Sequence, residues 1–242
     1  MKIKIDLIMS NKTIKIRMEV IKFMDPFIKK YEYNYIKNCL NDLSNTFIGC
    51  IDKDIIEAYK IYTQQKILNS FLNLSEEEKE ILNITKITKD YHINNYLKEL
   101  NDYVYGMPVI TDGQINRLFK KEKKFKLPSK DAQDSKNVYL GWIDNSIRKL
   151  FVAYNMNGNL MGMACRITNP DPKNSHRCVL CNHIAKSDEV AFVSPVCKVS
   201  NPDQGAYKSI GFDLCLDSEA CNNRIVSIEK LEEILKTVNN TK

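Results

Sequence analysis

The sequence predicts an α+β protein: an N-terminal antiparallel helical bundle, then a C-terminal α/β domain with an antiparallel sheet and a four-cysteine zinc module. Three observations predict it. Apolar residues recur at three-to-four spacing from about Asp25 to Val104. Short apolar runs divided by turn residues follow between Val138 and Cys165. Four cysteines then stand as Cys178-Val-Leu-Cys181 and Cys215-Leu-Asp-Ser-Glu-Ala-Cys221. With 242 residues, 43% of them hydrophobic and 27% charged, the chain suits one large domain or two modest ones.

Residues 1–24 form an extension of their own. Lys2–Ile8 and Thr13–Val20 each alternate with period two around the turn-like Met9-Ser-Asn-Lys12, the pattern of a short β-hairpin. A disordered arm, or a chain that really starts at Met24, is the competing reading. No run approaches the roughly 18 apolar residues of a membrane helix. Met1-Lys-Ile-Lys-Ile-Asp alternates charged with apolar residues, unlike the core of a signal peptide. A cytoplasmic chain with reduced thiols is therefore expected, and its eight cysteines read as metal ligands and buried thiols.

The helical domain is placed at 25–106. Asp25-Pro26 reads as N-cap and first helical residue. Phe27, Tyr31, Ile36, Cys39, Leu40, Leu43 and Phe47 then share one face. A second helix from Asp52 to about Asn73 is expected to bury Ile55, Tyr59, Tyr62 and Phe71. Ser75-Glu-Glu-Glu78 is a capping box. A further amphipathic run carries Tyr91, Tyr96, Leu97, Leu100 and Val104. Gly106-Met-Pro108 marks the boundary with the second domain, 107–242. There Thr111-Asp-Gly-Gln114 caps a short helix, and Val138–Ile143, Lys149–Tyr154 and Leu160–Cys165 read as an antiparallel meander. Asn145 and Asn155-Met-Asn-Gly158 supply its turns. Cys165 and Cys197 are read as strand residues, and Cys39 and Cys50 as helical thiols. A last helix starts near Ser227, with Ile228, Leu231, Ile234 and Leu235 on one face.

Thiolates suit Zn²⁺, which takes four tetrahedral ligands. Cys178-x2-Cys181 forms a knuckle, Cys215 ends the strand-like run Ile210–Leu214, and Cys221 falls in the first turn after it. Knuckle, hairpin and helix start give the order of a treble-clef zinc finger, although the second pair is wider than usual. The alternative is four buried reduced thiols. Cys178, Cys181, Cys215 and Cys221 would hold one structural ion, closed to water. Arg177, Lys186, Lys208 and Arg224 can offset its net −2 charge, while His176 and His183 read as surface residues.

Net charge is +6 with pI near 8.7, below the value of about 9 that marks a dedicated nucleic-acid binder. Arg117–Lys126 nonetheless carries six basic residues against one acidic one. It reads equally as a patch for an acidic or RNA partner and as a solvated surface. No phosphate-binding glycine loop, Gly-x-Ser-x-Gly elbow or His-Glu-x-x-His occurs, and three histidines leave little material for acid–base chemistry. Nothing argues for an enzyme.

The helical first half, Leu140-Gly-Trp142, the basic Phe-Lys-Lys run, Cys178-x2-Cys181-Asn182 and Cys215-x5-Cys221-Asn222 together resemble the elongation factor G-binding proteins of the FusB type, over about residues 25–238. The family's chains begin near Met24, so residues 1–23 depart from its pattern. The resemblance implies a monomeric cytoplasmic binding protein, not an enzyme. It implies one structural zinc on the four cysteines and binding of elongation factor G through the zinc-containing domain. The factor's release from fusidic acid-stalled ribosomes, with transient ribosome contact, would give antibiotic resistance. Partner contacts would fall near Arg177, Lys208, Phe212 and Ile234. The second reading is an RNA- or ribosome-binding zinc protein using residues 117–126.

Overall fold

A computed structural model describes residues 3–10, 13–20, 24–134, 136–168, 173–198 and 208–241. β1 (Ile3–Ser10) and β2 (Thr13–Val20) pair antiparallel from Ile3↔Val20 to Ser10↔Thr13. Asn11 and Lys12, the centre of the expected turn, lie outside the described residues.

The expected helix start at Asp25-Pro26 is corrected. The backbone stays extended, and β3 (Ile28–Lys29) pairs in parallel with β4 (Val104–Tyr105) before α1 (Lys30–Gly49) begins. Phe27 N–H donates to the Tyr103 carbonyl at 3.0 Å. This pairing buries Ile28 completely and sets Phe27 against Phe71 and Tyr103. A local cap signal is worth about 1 kcal/mol, less than burying an isoleucine at roughly 1.5–3 kcal/mol, so the tertiary pairing wins. Within α1 the buried face is Asn34, Ile36, Cys39, Leu40 and Leu43.

α2 (Lys53–Asn69) starts where expected, with the Asp52 carboxylate accepting from the N–H groups of Asp54 and Ile55. Its inward face is different. Ile55 and Tyr62 are 56% and 53% exposed, and Lys60, Thr63 and Ile67 are buried instead. Apolar residues lie nearly all round α2, so periodicity does not select a face; packing on α1 does. Lys60 buries its stem and keeps its ammonium 2.8 Å from Glu57. α3 (Glu76–Ile81) has the Ser75–Glu78 capping box, and α4 (Asp90–Leu100) buries Ile93, Leu97 and Leu100 while Tyr91 faces solvent.

After α5 (Asp112–Leu118), capped by Thr111 and Gln114, and the short α6 (Lys130–Asp134), the chain enters the sheet. β5 (Leu140–Asp144), β6 (Lys149–Met156) and β7 (Asn159–Ile167) form the meander. β8 (Ser175–Arg177) and β9 (Ile184–Lys186) form a separate hairpin. β10 (Val190–Pro195) and β11 (Phe212–Cys215) complete a five-stranded sheet of order β11-β10-β7-β6-β5, all pairs antiparallel. The β6–β7 turn has Asn157 and Gly158 at φ 51° and 87°, the two left-handed residues that a two-residue hairpin requires.

Alternation along the strands sorts the apolar residues of the five-stranded sheet into two layers. Leu140, Trp142, Phe151, Ala153 and Ala164 pack with Ile110, Ile115 and Phe119 on the α5 side. Tyr139, Leu150, Val152, Tyr154 and Cys165 pack on the other side with the cysteine module, α7 (Ser218–Asn222) and α8 (Glu229–Asn239). Cys197 follows β10 and is not itself in a strand, a correction. Cys50 caps the end of α1.

Candidate functional site

The β8–β9 hairpin carries the knuckle as its loop. The Asn182 N–H donates to the Cys178 carbonyl and the Cys178 N–H to the His183 carbonyl, both at 2.9 Å. Asn182 takes φ +61°, the left-handed turn that curls the chain back over its own sulfurs. The knuckle is fastened to β11 twice. The Val179 N–H donates to the Asp213 carbonyl at 3.0 Å, and His176 Nδ1 lies 3.0 Å from the Asp213 carboxylate. His176 is therefore half-buried rather than a plain surface residue. β11 delivers Cys215, and α7, capped by the Asp217 carboxylate on the Ala220 N–H, delivers Cys221.

The four sulfurs converge. Cys178, Cys181, Cys215 and Cys221 Sγ all lie within 4.8 Å of one another, with Cys178–Cys221 at 3.9 Å and Cys181–Cys215 at 3.5 Å. A tetrahedron with metal–sulfur bonds of about 2.3 Å has edges of about 3.8 Å, so the donor set fits Zn²⁺. The five-residue spacing of the second pair is explained by geometry. Cys215 ends a strand, Leu216 and Asp217 turn the chain, and Cys221 comes round on the first turns of α7. Sulfurs this close titrate as a coupled set and not as four separate thiols. Hydrogen bonds from Cys178, Cys215 and Cys221 hold the Cys181 thiol far below its ordinary range, and burial opposes them. Cys221 is driven far above it by Cys178, Cys181 and Cys215. Arg224 Nη2 donates to Cys215 Sγ at 3.4 Å, the nearby cation that offsets thiolate charge.

Two residues seat this module. Gly141 on β5 faces α7, where an added Cβ would lie 2.3 Å from Ser218 Oγ, so only glycine allows the approach. Asn222, next to Cys221, is 1% exposed. Its Oδ1 accepts from the N–H groups of Val138 and Tyr139 at 2.7 and 3.0 Å. Its Nδ2 donates to the carbonyls of Tyr139 and Ser218 at 3.0 and 2.8 Å. From the helical domain, Asn34 Nδ2 donates to the carbonyls of Asn222 and Ile225, both at 2.7 Å. The sequence shows Asn222 beside Cys221 of the cysteine quartet. A mid-helix asparagine such as Asn34 gives no signal of a partner 188 positions away.

Of the residues expected to meet a partner, Arg177 on β8 and Lys208 before β11 are exposed. Phe212 is half-buried at the edge of the core, beside the Asp213 junction with the knuckle. Ile234 is corrected: it is 6% exposed and packs in the core with Leu231 and Leu235, so no partner reaches it on this surface.

Residues 27–108 match the family model described as elongation factor G-binding protein, N-terminal, and residues 112–240 match the model described as FBP C-terminal treble-clef zinc-finger. Among curated proteins no sequence matches the chain. Among solved structures, it is similar to the structure of the fusidic acid resistance protein FusC. The TM-score is 0.70 at 22% identity, over 88% of this chain and 98% of that one. That likeness is one of fold.

Proposed function

The chain belongs to the family of elongation factor G-binding proteins with a C-terminal treble-clef zinc finger, and from this premise we propose that it binds elongation factor G through the zinc-containing domain and promotes the factor's release from fusidic acid-stalled ribosomes. The observation that carries the reading is the four-sulfur cluster of Cys178, Cys181, Cys215 and Cys221, set in a chain whose two halves match the family in sequence order. One zinc ion on these sulfurs supplies structure: four protein ligands leave no open position for water or substrate. The chain's own residues do the rest. The knuckle, β11 and α7 hold a fixed surface on which Arg177, Lys208 and Phe212 are the contacts proposed.

Release needs no chemistry. A protein that binds the free or departing factor more tightly than its stalled form shifts the equilibrium towards departure by that difference in affinity. Cationic residues around a rigid surface favour fast, oriented encounter with an acidic partner. The protein acts as a cytoplasmic monomer that meets the ribosome only in passing.

The test is titration of purified elongation factor G with the zinc-loaded protein, alongside a translation assay containing fusidic acid. One-to-one binding at micromolar affinity or tighter, with restored turnover, is expected. No binding at high micromolar protein refutes the partner. Binding without restored turnover refutes the release step.

A further inference from the structure

The basic segment 117–126 is exposed, pinned and strained. Arg117, Lys120, Lys121, Lys123, Lys124 and Lys126 all face solvent. Among the described residues no carboxylate forms an ion pair with the side chains of Arg117, Lys120, Lys121, Lys123 or Lys124, while Lys126 lies in the field of Asp144; the one acid between them, Glu122, is half-buried and ion-paired with Lys149 of β6. The backbone that carries them is locked. The Glu122 N–H donates to the Phe119 carbonyl at 2.8 Å and the Lys126 N–H to the Asp144 carboxylate at 2.7 Å. The Lys126 carbonyl accepts from Trp142 Nε1 at 2.9 Å. Phe119 and Phe125 turn inward, their rings 5.1 Å from Phe151. Lys124 is held at φ +58°, a left-handed conformation that costs a lysine and suits a glycine. A strained lysine in an otherwise locked loop is a position where charge is worth more than comfort.

We propose that this loop is a docking surface for the phosphate backbone of structured RNA. The chemistry favours RNA over an acidic protein. Stable protein interfaces are depleted in lysine and centre on aromatic or arginine anchors, whereas here both aromatic residues are spent on the core and five of the six cations are lysine, with Arg117 alone at one end. Point charges on a rigid ridge, with nothing to read a base, are what backbone contact with a helical RNA uses. The ridge rests on the Trp142–Phe151 layer, the opposite face of the sheet from the cysteine module. A protein partner at the zinc module and RNA at the ridge can thus be held together.

The test measures binding of the full zinc-loaded chain to a duplex RNA of about 20 base pairs as salt is varied, with a glutamate homopolymer as the acidic-protein probe. Lys120, Lys121, Lys123 and Lys124→Gln is the patch variant. Lys53, Lys79, Lys89 and Lys98→Gln removes the same charge from the helical domain. The wild type is expected to bind RNA with steep salt dependence. The patch variant should weaken it about tenfold or more at low salt and lower the salt slope by about one unit for each phosphate it no longer neutralises. The helical-domain variant should stay within about threefold of wild type. Lys124→Gly keeps the assignment testable if the quadruple variant folds poorly: it should melt no lower than wild type yet bind RNA about two- to threefold more weakly. Three outcomes overturn the proposal: no RNA binding at low salt, equal losses in the two quadruple variants, or binding of the glutamate polymer as tight as that of RNA. RNA affinity unchanged in Lys124→Gly overturns the role given to that strained residue.

Discussion

Asn34→Ala tests whether the helical domain is fastened to the zinc module through one side chain. Asn34 is 3% exposed and donates both amide hydrogens, at 2.7 Å each, to the carbonyls of Asn222 and Ile225. Truncation leaves two buried acceptors without that donor. A buried polar group left unsatisfied costs about 1–3 kcal/mol, so two cost roughly 2–4 kcal/mol once some relaxation is allowed. The four hydrogen bonds of the Asn222 side chain, made within the second domain, survive the change. The metal should therefore stay bound while the domains uncouple. Urea unfolding followed both by far-ultraviolet circular dichroism and by the fluorescence of Trp142 reads this directly, since that residue is the chain's one tryptophan and lies in the second domain. In the wild type the two signals should fall together. In Asn34→Ala the helical signal should fall first, with the loss of stability above and metal content unchanged. Coincident transitions within about 0.5 kcal/mol of wild type would refute the clamp, and loss of metal would refute its independence from the ligands.

Cys215→Ser should abolish tight metal retention and lower the melting temperature by about 10 °C or more, because binding energy at such a site is folding energy. A chelator should do the same to the wild type, and elemental analysis with calorimetry checks both; retention of metal by Cys215→Ser would show the ligand set to be wrong. Gly141→Ala forces a Cβ to 2.3 Å from Ser218 Oγ, which should cost about 1–3 kcal/mol and weaken metal binding by displacing α7, as a zinc competition assay would show. Asp144 has its carboxyl held below the usual carboxylate range by the Ser146 hydroxyl and the Lys126 N–H. A depressed folded-state value means the stabilisation is present above the unfolded pKa of about 3.9 and is lost as pH falls through the lower folded value. The stability gap between wild type and Asp144→Asn should thus be constant near neutrality and begin to shrink below about pH 4, and a gap at about pH 3 equal to that at neutrality would contradict the assignment.

Much of the molecule was legible where one residue's chemistry suffices. Asp52, Ser75 and Thr111 cap helices as their types demand. Asn157-Gly158 makes the β6–β7 turn because those residues tolerate positive φ, and the four cysteines meet because thiolates in that order along the chain suit a tetrahedral ion. The structure departs from the local signal where two distant segments compete with it. Asp25-Pro26 is a sound helix start in isolation, yet β4 offers Phe27 and Ile28 a better use. Ile234 has the spacing of a helix face and no mark of whether that face meets solvent or the sheet; α8 turns it inward.

Most of the elements, the cysteine quartet and the family follow from the order of residues, because caps and turns are set by near neighbours and the two cysteine pairs are each legible in their own short spacing. Folding in three dimensions settled which faces are buried, that Asn34 closes on Asn222, and that the basic ridge and the cysteine module occupy opposite faces of one sheet. Those depend on which surfaces meet across many tens of residues, and no local pattern encodes the meeting.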